Sequence, residues 1–156
     1  MQRLEFVKRK ICIIGYGNPL RRDDGIGAFV AENLRNAVGR STRILAFQQL
    51  DPIALEEVQE TDVIILVDAT VEDLDRGIRW KRVRSERLRF SHTTHHMRPA
   101  DFVGLLDALY HRTPETWVIS VKGEDFGHGA GLTKKARERA LRACEEIGQF
   151  LSRETD

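Results

Sequence analysis

Two kinds of side chain in this sequence are suited to chemistry: aspartates next to predicted strands and a cluster of histidines. Asp23 and Asp24 follow a glycine turn, and Asp68 closes the most apolar run of the chain. Three of the five histidines fall within five residues of one another. These are His92, His95 and His96. Carboxylate and imidazole groups bind divalent metals such as Ni²⁺ or Zn²⁺ and also transfer protons.

Purely structural roles explain the same residues. Asp23 or Asp24 can cap the helix that follows, which contributes about 1 kcal/mol. Asp68 can satisfy backbone donors in its own turn, and a histidine cluster is also typical of a solvated loop. The residues alone therefore leave both a structural and a chemical interpretation open.

Strand and helix patterns alternate along the chain. The predicted strands cover residues 10–16, 42–47, 63–68, 77–84 and 116–121. Predicted helices begin near Asp24, Pro52, Pro99 and Thr133, where Thr133 is the expected cap. This order predicts a doubly wound α/β domain over residues 1–156, with strands at least partly parallel. Asp24 and Asp68 then follow strands whose carboxyl ends share one sheet edge, where ligands bind in such folds.

Composition excludes several classes of protein. The chain has 156 residues, of which 41% are hydrophobic and 31% charged, and its net charge is +1. This charge provides no field that would attract nucleic acid or a membrane, and we expect neither as a partner. Cys12 and Cys144 lie in apolar patterns without CxxC spacing, which is typical of the reducing cytoplasm.

The glycine turn is not a nucleotide-binding fingerprint. Gly15 and Gly17 begin a Gly-x-Gly pattern, but Leu20 occupies the position of the third glycine. Two acidic residues at the start of the next helix would also repel a phosphate.

Four motifs, in order along the chain, resemble those of the hydrogenase maturation endopeptidases. They are Gly15-x-Gly17-Asn18-x-Leu20-x-x-Asp23-Asp24-Gly25-x-Gly27, Val67-Asp68-Ala69, His95-x-Met97-x-x-Ala100-Asp101 and Gly129-x-Gly131-Leu132-Thr133. The first motif is highly specific, and the four together span nearly the whole chain.

The resemblance implies a three-layer α/β/α sandwich around a twisted, mostly parallel five-stranded sheet. It also implies a peptidase that cuts a C-terminal extension from the large-subunit precursor of a nickel–iron hydrogenase after nickel insertion. The family's metal-contacting and catalytic residues match Asp24, Asp68 and His95. The nickel would be carried by the precursor, its partner, and would serve for recognition, so the free enzyme need not hold one.

The chain departs from the family pattern in two places. Asp24 stands where many members have glutamate, and residues 48–52 replace a glycine pair in a loop that bears on substrate choice. His92 or His96 can also substitute for His95. For peptide cleavage, the metal can polarise water or the scissile carbonyl, or a carboxylate can act as general base.

Two other functions remain open. One is a non-catalytic nickel or zinc carrier that uses the histidine cluster. The other is a different peptidase on the same fold. No Ser–His–Asp or Cys–His arrangement is evident, so we expect neither Cys12 nor Cys144 to be a nucleophile.

Overall fold

Apolar runs form the five strands of one sheet in the computed structural model, which describes residues 8–85 and 97–155. The strands are β1 (Ile11–Tyr16), β2 (Thr42–Phe47), β3 (Val63–Thr70), β4 (Ile78–Val83) and β5 (Glu115–Lys122). Their order in the sheet is β2-β1-β3-β5-β4. All neighbouring pairs are parallel except β4 and β5, which are antiparallel. The prediction of a mostly parallel sheet with 77–84 at its edge is therefore confirmed.

Four helices cover the two faces of this sheet within the described part of the chain. They are α1 (Ile26–Arg35), α2 (Ile53–Glu57), α3 (Pro99–Tyr110) and α4 (Lys134–Thr155). Alternate residues of β1 and β3 pack against α1 and α4 on one face, and the intervening residues pack against α2 and α3 on the other. This is the expected three-layer α/β/α arrangement. None of the helices described has both the length and the apolarity needed to cross a membrane.

The turn from β1 into α1 depends on backbone packing that only glycine permits. A Cβ atom on Gly27 would lie 2.5 Å from the carbonyl oxygen of Tyr16 and 2.7 Å from that of Val67. Gly17 has a φ of 138°, a conformation that other residues rarely adopt. A single 3-10 turn, Arg22–Gly25, then leads into α1. These contacts bring the start of α1 directly over the ends of β1 and β3.

Candidate functional site

Asp24 and Asp68 line the same cleft at the carboxyl ends of the parallel strands. The cleft has a volume of about 820 Å³ and lies between the β1–α1 loop, the β2–α2 loop and the start of α3. Asp24 comes from the 3-10 turn, and Asp68 lies two residues before the end of β3. The two carboxylates that the sequence placed at one sheet edge therefore do lie together there, while their chemical role stays a prediction.

Burial and a neighbouring charge change the acidity of Asp68. Its pKa rises from 3.8 to about 7, first because the carboxyl is desolvated and second because the charge of Asp24 repels a second negative charge. Hydrogen bonds from the backbone of Ala69 and from the Tyr16 side chain oppose this rise. Near neutral pH, Asp68 therefore exists in both its protonated and its ionised form, as a group that transfers protons requires.

Tyr16 supports Asp68 from the neighbouring strand. β1 and β3 are paired through Gly15 and Val67, so the next residues, Tyr16 and Asp68, lie side by side on the α2–α3 face. Burial and then the Asp68 charge raise the pKa of the Tyr16 hydroxyl, which remains a hydrogen-bond donor to the carboxylate. Tyr16 was not predicted as a site residue. The sequence feature that could have identified it is its position at the end of the strand, next to the glycine turn.

The Asp24 carboxylate is oriented by the loop that carries it. Its Oδ2 atom accepts a hydrogen bond of 2.8 Å from the backbone N–H of Asn18. The side chain of Asn18 in turn accepts one from the backbone N–H of Leu20. The motif residues between Gly17 and Asp24 thus form a tight turn that directs Asp24 into the cleft.

Asp23 does not cap α1, and that part of the sequence-based interpretation is wrong. The N-cap residue of α1 is Gly25, which makes no side-chain capping hydrogen bond. The Asp23 side chain is instead fully buried and accepts hydrogen bonds from the backbone N–H groups of Glu124, Asp125 and Thr133 and from the Thr133 hydroxyl. Burial opposes ionisation, but these hydrogen bonds outweigh it and lower the pKa of Asp23.

Asp23 therefore joins the loop before α1 to the loop before α4. Backbone hydrogen bonds reinforce the connection: Gly129 accepts from Arg22 (3.0 Å) and donates to Leu20 (2.9 Å). Thr133 also caps α4, as predicted, because its hydroxyl accepts a hydrogen bond from Ala136. The fourth sequence motif thus holds the first motif in position.

Asp101 holds the start of α3 in place, and this helix start forms one wall of the cleft. Asp101 accepts hydrogen bonds from the backbone N–H and the guanidinium of Arg98 at the start of α3. These bonds, with the Arg98 charge, lower the pKa of Asp101. Met97, Arg98 and Pro99, which line the cleft, are positioned by this helix start.

The predicted histidine ligand lies outside the described residues. His92, His95 and His96 all fall in residues 86–96, although Met97, two residues after His95, lines the cleft. Within residues 8–85 and 97–155, no group of three or more His, Cys, Asp or Glu residues is placed to hold a metal ion. The three-ligand metal site of Asp24, Asp68 and His95 therefore stays a prediction.

The loop after β2 also reaches the cleft. Gln48, Gln49, Leu50 and Asp51 all line it, together with the residues at the start of α3. These are residues of the segment that departs from the family pattern. Their location supports the expectation that this loop contacts whatever binds there.

Neither cysteine has the properties of a nucleophile. Cys12 is fully buried in β1, and burial raises the pKa of its thiol to about 12. Burial also raises the pKa of the Cys144 thiol, to about 11. Both thiols are protonated at neutral pH, whereas a catalytic cysteine reacts as the thiolate.

Several solved structures share this arrangement. The NiFe hydrogenase maturation protease HycI from Thermococcus kodakarensis superposes with a TM-score of 0.75 and 22% identity, over 94% of this chain and 95% of that one. The hydrogenase maturating endopeptidase HybD from E. coli gives a TM-score of 0.73 and 21% identity, over 92% and 93% of the two chains. This chain has the fold of the hydrogenase maturation proteases. The similarity supports the family resemblance found in the sequence motifs.

A third structure, HybD from Thermococcus kodakarensis, gives a TM-score of 0.68 and 20% identity, over 91% of this chain and 99% of that one. No protein-family model and no curated protein sequence matches this chain. The similarity to known proteins is therefore carried by the fold and by the four short sequence motifs.

Proposed function

We propose that this protein is an endopeptidase that removes the C-terminal extension of a nickel–iron hydrogenase large-subunit precursor after nickel insertion. The observation that carries the proposal is the pair of carboxyl groups, Asp24 and Asp68, in the cleft of a fold shared with solved maturation proteases. The charge of Asp24 raises the pKa of Asp68, so the two carboxyl groups are close enough to interact electrostatically.

Peptide hydrolysis needs a group that takes a proton from water and a group that gives one to the leaving amine. A carboxyl pair in which one member has a raised pKa can do both, because it exchanges a proton near neutral pH. Asp68 has this property, and the Tyr16 hydroxyl orients it. We therefore assign Asp24 and Asp68 to the catalytic, aspartyl-type site, with His95 as the third member.

The nickel belongs to the substrate and not to the free enzyme. Asp24, Asp68 and His95 would contact the nickel that the precursor already carries, while the precursor's own ligands complete its coordination. A nickel-free precursor lacks these bonds and binds more weakly, which would make cleavage depend on nickel insertion. The free thiols of Cys12 and Cys144 fit a reducing compartment, so we place the activity in the cytoplasm.

The test is to incubate the protein with nickel-loaded and nickel-free precursor and to measure the mass of the large subunit. We expect shortening only of the nickel-loaded form. Asp24→Asn, Asp68→Asn and His95→Ala should fold, as judged by circular dichroism, and should leave the precursor uncut. Asp75→Asn, at an exposed aspartate away from the cleft, is the matched control and should cut normally. Normal cutting by all three site variants would refute the assignment of the site.

Calorimetry with nickel and zinc on the free protein distinguishes a metal carrier from this enzyme. We expect weak binding to the free protein, because the precursor supplies the remaining ligands. Tight binding that is lost on replacing His92 and His96, together with an uncut precursor, would instead identify a carrier.

A further inference from the structure

A second groove opens beside the cleft, and we call it the basic groove. It has a volume of about 290 Å³ and lies between β4, β5 and the start of α3. Its cationic lining residues are Arg79, Lys81, Arg82, Arg84 and Arg98. None of the described residues that line it is acidic. The cleft, in contrast, is lined by the three aspartates Asp24, Asp51 and Asp68 as well as by Arg21 and Arg98, so its charge is mixed where that of the groove is basic.

Strand pairing places the basic groove next to Asp68. Ser120 in β5 is paired with Asp68 of β3 on one side and with Arg79 of β4 on the other. Directly paired residues project from the same face of a sheet, and neighbouring strands lie about 4.8 Å apart. The Cα atoms of Asp68 and Arg79 are therefore roughly 10 Å apart, across a single intervening strand.

The groove extends along the sheet to the next set of paired residues on the same face. Val118 of β5 is paired with Leu66 of β3 and with Lys81 of β4. The two sites are thus neighbours on the α2–α3 face of the sheet, and Arg98 and Pro99 border both of them.

The positive charge of this groove is only partly neutralised. Arg79 pairs with Glu72 at 2.8 Å, and Arg98 pairs with Asp101 at 3.0 Å. Arg82 is engaged on the opposite face, where it pairs with Glu115 at 3.2 Å and lies over the ring of Trp117. Lys81 and Arg84 are exposed, and neither makes an ion pair with a carboxylate among the residues described. Within residues 8–85 and 97–155, these two cations beside the cleft therefore have no carboxylate partner.

We propose that the basic groove binds an acidic segment in the C-terminal extension of the substrate, with a carboxylate side chain about three residues from the bond to be cut. This inference rests on the proposed function. An extended chain advances about 3.3 Å per residue, so about three residues span the roughly 10–12 Å from Asp68 to Arg79 and to Lys81, which lies two residues further along β4. A volume of about 290 Å³ is enough for a few residues of a peptide tail and too small for a folded subunit. Charge complementarity then selects extensions with acidic residues at that spacing.

The binding test needs no cleavage. Fluorescein-labelled nonapeptides with three glutamates, three glutamines or three lysines in a Gly/Ser background are titrated by fluorescence anisotropy at about 50 mM and about 500 mM salt. We expect the glutamate peptide to bind most tightly, with an affinity that falls as salt rises. The double variant Lys81→Ala/Arg84→Ala should weaken its binding about tenfold, and Lys81→Glu should favour the lysine peptide. Arg142→Glu, at an exposed position of α4 on the opposite face, is the control and should bind as the wild type does.

Equal affinity for the glutamate and glutamine peptides would overturn the inference, because the basic side chains would then serve only to keep the edge strand β4 from pairing with other chains. A labelled oligothymidylate that binds more tightly than the glutamate peptide, through the same residues, would also overturn it in favour of a nucleic-acid surface. The Asp68→Asn variant should keep the peptide preference. If the groove binds the acidic peptide but the protein leaves nickel-loaded precursor uncut, the result contradicts the proposed function and leaves the inference about the groove intact.

Kinetics on the precursor test the position of the acidic residue. Changing acidic residues of the extension to their amides, one at a time, should raise KM most at the third residue from the cleaved bond. Lys81→Ala should remove most of that difference. A uniform effect along the extension would contradict a defined carboxylate position.

Discussion

The carboxylate of Asp23 accepts hydrogen bonds from both the backbone N–H (2.7 Å) and the hydroxyl (2.8 Å) of Thr133, a residue 110 positions further along the chain. Together with its bonds to Glu124 and Asp125, this contact fixes the loop that carries Asp24 against the loop that precedes α4. A buried carboxylate thus positions the neighbouring aspartate without itself entering the cleft.

Replacing Asp23 should destabilise the fold substantially. Asp23→Ala leaves several buried donors without an acceptor, and we expect a loss of about 3–5 kcal/mol in the free energy of unfolding. Because the folded pKa of Asp23 lies below its usual 3.8, this stabilisation is present above pH 3.8 and disappears as the pH falls further. Urea denaturation of the variant and wild type across pH measures both effects. Asp75→Asn should change stability by less than about 0.5 kcal/mol, and an equally small effect at Asp23 would show that the carboxylate does not connect the loops.

Removing the charge of Asp68 should stabilise the protein at neutral pH. The folded pKa is about 7, above the unfolded value of 3.8, so the ionised carboxyl destabilises the fold increasingly between these two pH values. We expect Asp68→Asn to be more stable than wild type by roughly 3–4 kcal/mol at pH 8, since about three pKa units correspond to about 4 kcal/mol, and similar to it near pH 4. Thermal denaturation at both pH values provides the measurement. If the stability difference between Asp68→Asn and wild type does not vary with pH, the pKa of Asp68 is not raised. Asp62→Asn, at an aspartate whose side chain is 42% exposed, is the control variant for the same two measurements.

The contact between α1 and the sheet predicts opposite effects for the same substitution in two helices. Gly27→Ala places a Cβ atom 2.5 Å from the carbonyl oxygen of Tyr16, and we expect a loss of about 2 kcal/mol or more. Gly148→Ala, in α4, meets nothing within 4 Å and should gain about 0.5–1 kcal/mol from better helix propensity. Melting temperatures of the two variants test this directly. A tolerated alanine at Gly27 would mean that α1 lies further from β1 and β3 than the structure indicates.

Neither thiol should be needed for cleavage. Cys12 and Cys144 have pKa values raised to about 12 and about 11, so both are protonated at neutral pH. We expect Cys12→Ser and Cys144→Ser to cut nickel-loaded precursor at the wild-type rate per folded molecule. Cys12→Ser should be less stable, because it places a hydroxyl among apolar side chains. A folded but inactive variant at either position would point to a thiol mechanism.

The sheet could be predicted from the sequence because its strands differ from their surroundings in local pattern. The apolar run 63–68 became the central strand β3, and the basic alternation of 77–84 became the edge strand β4. The presence of Asp24 and Asp68 at one sheet edge follows from this order alone, since parallel strands present their carboxyl ends together. The assignment of His95 rests on the motif only, because it lies outside the described residues.

The role of Asp23 could not be predicted in the same way. Its position before a helix made a cap the simplest expectation, but its hydrogen-bond partners come from residues 124–133. The basic groove depends likewise on the antiparallel pairing of β4 with β5, which places Arg79 one strand away from Asp68. Neither relationship leaves a pattern within a short window of sequence.

The sequence by itself determined the order of strands and helices, the glycine turn, and the placement of one carboxylate after that turn and one in β3. Only the tertiary structure decided which aspartate is a buried connection, which one has a raised pKa, and which cations lie beside them. The reason is physical: periodicity reports local backbone geometry and burial, whereas hydrogen bonding, desolvation and charge coupling depend on groups that folding brings together. The glycine turn therefore predicted that Asp23 and Asp24 would matter, and the folded chain buries Asp23 between two loops while it places Asp24 in the cleft.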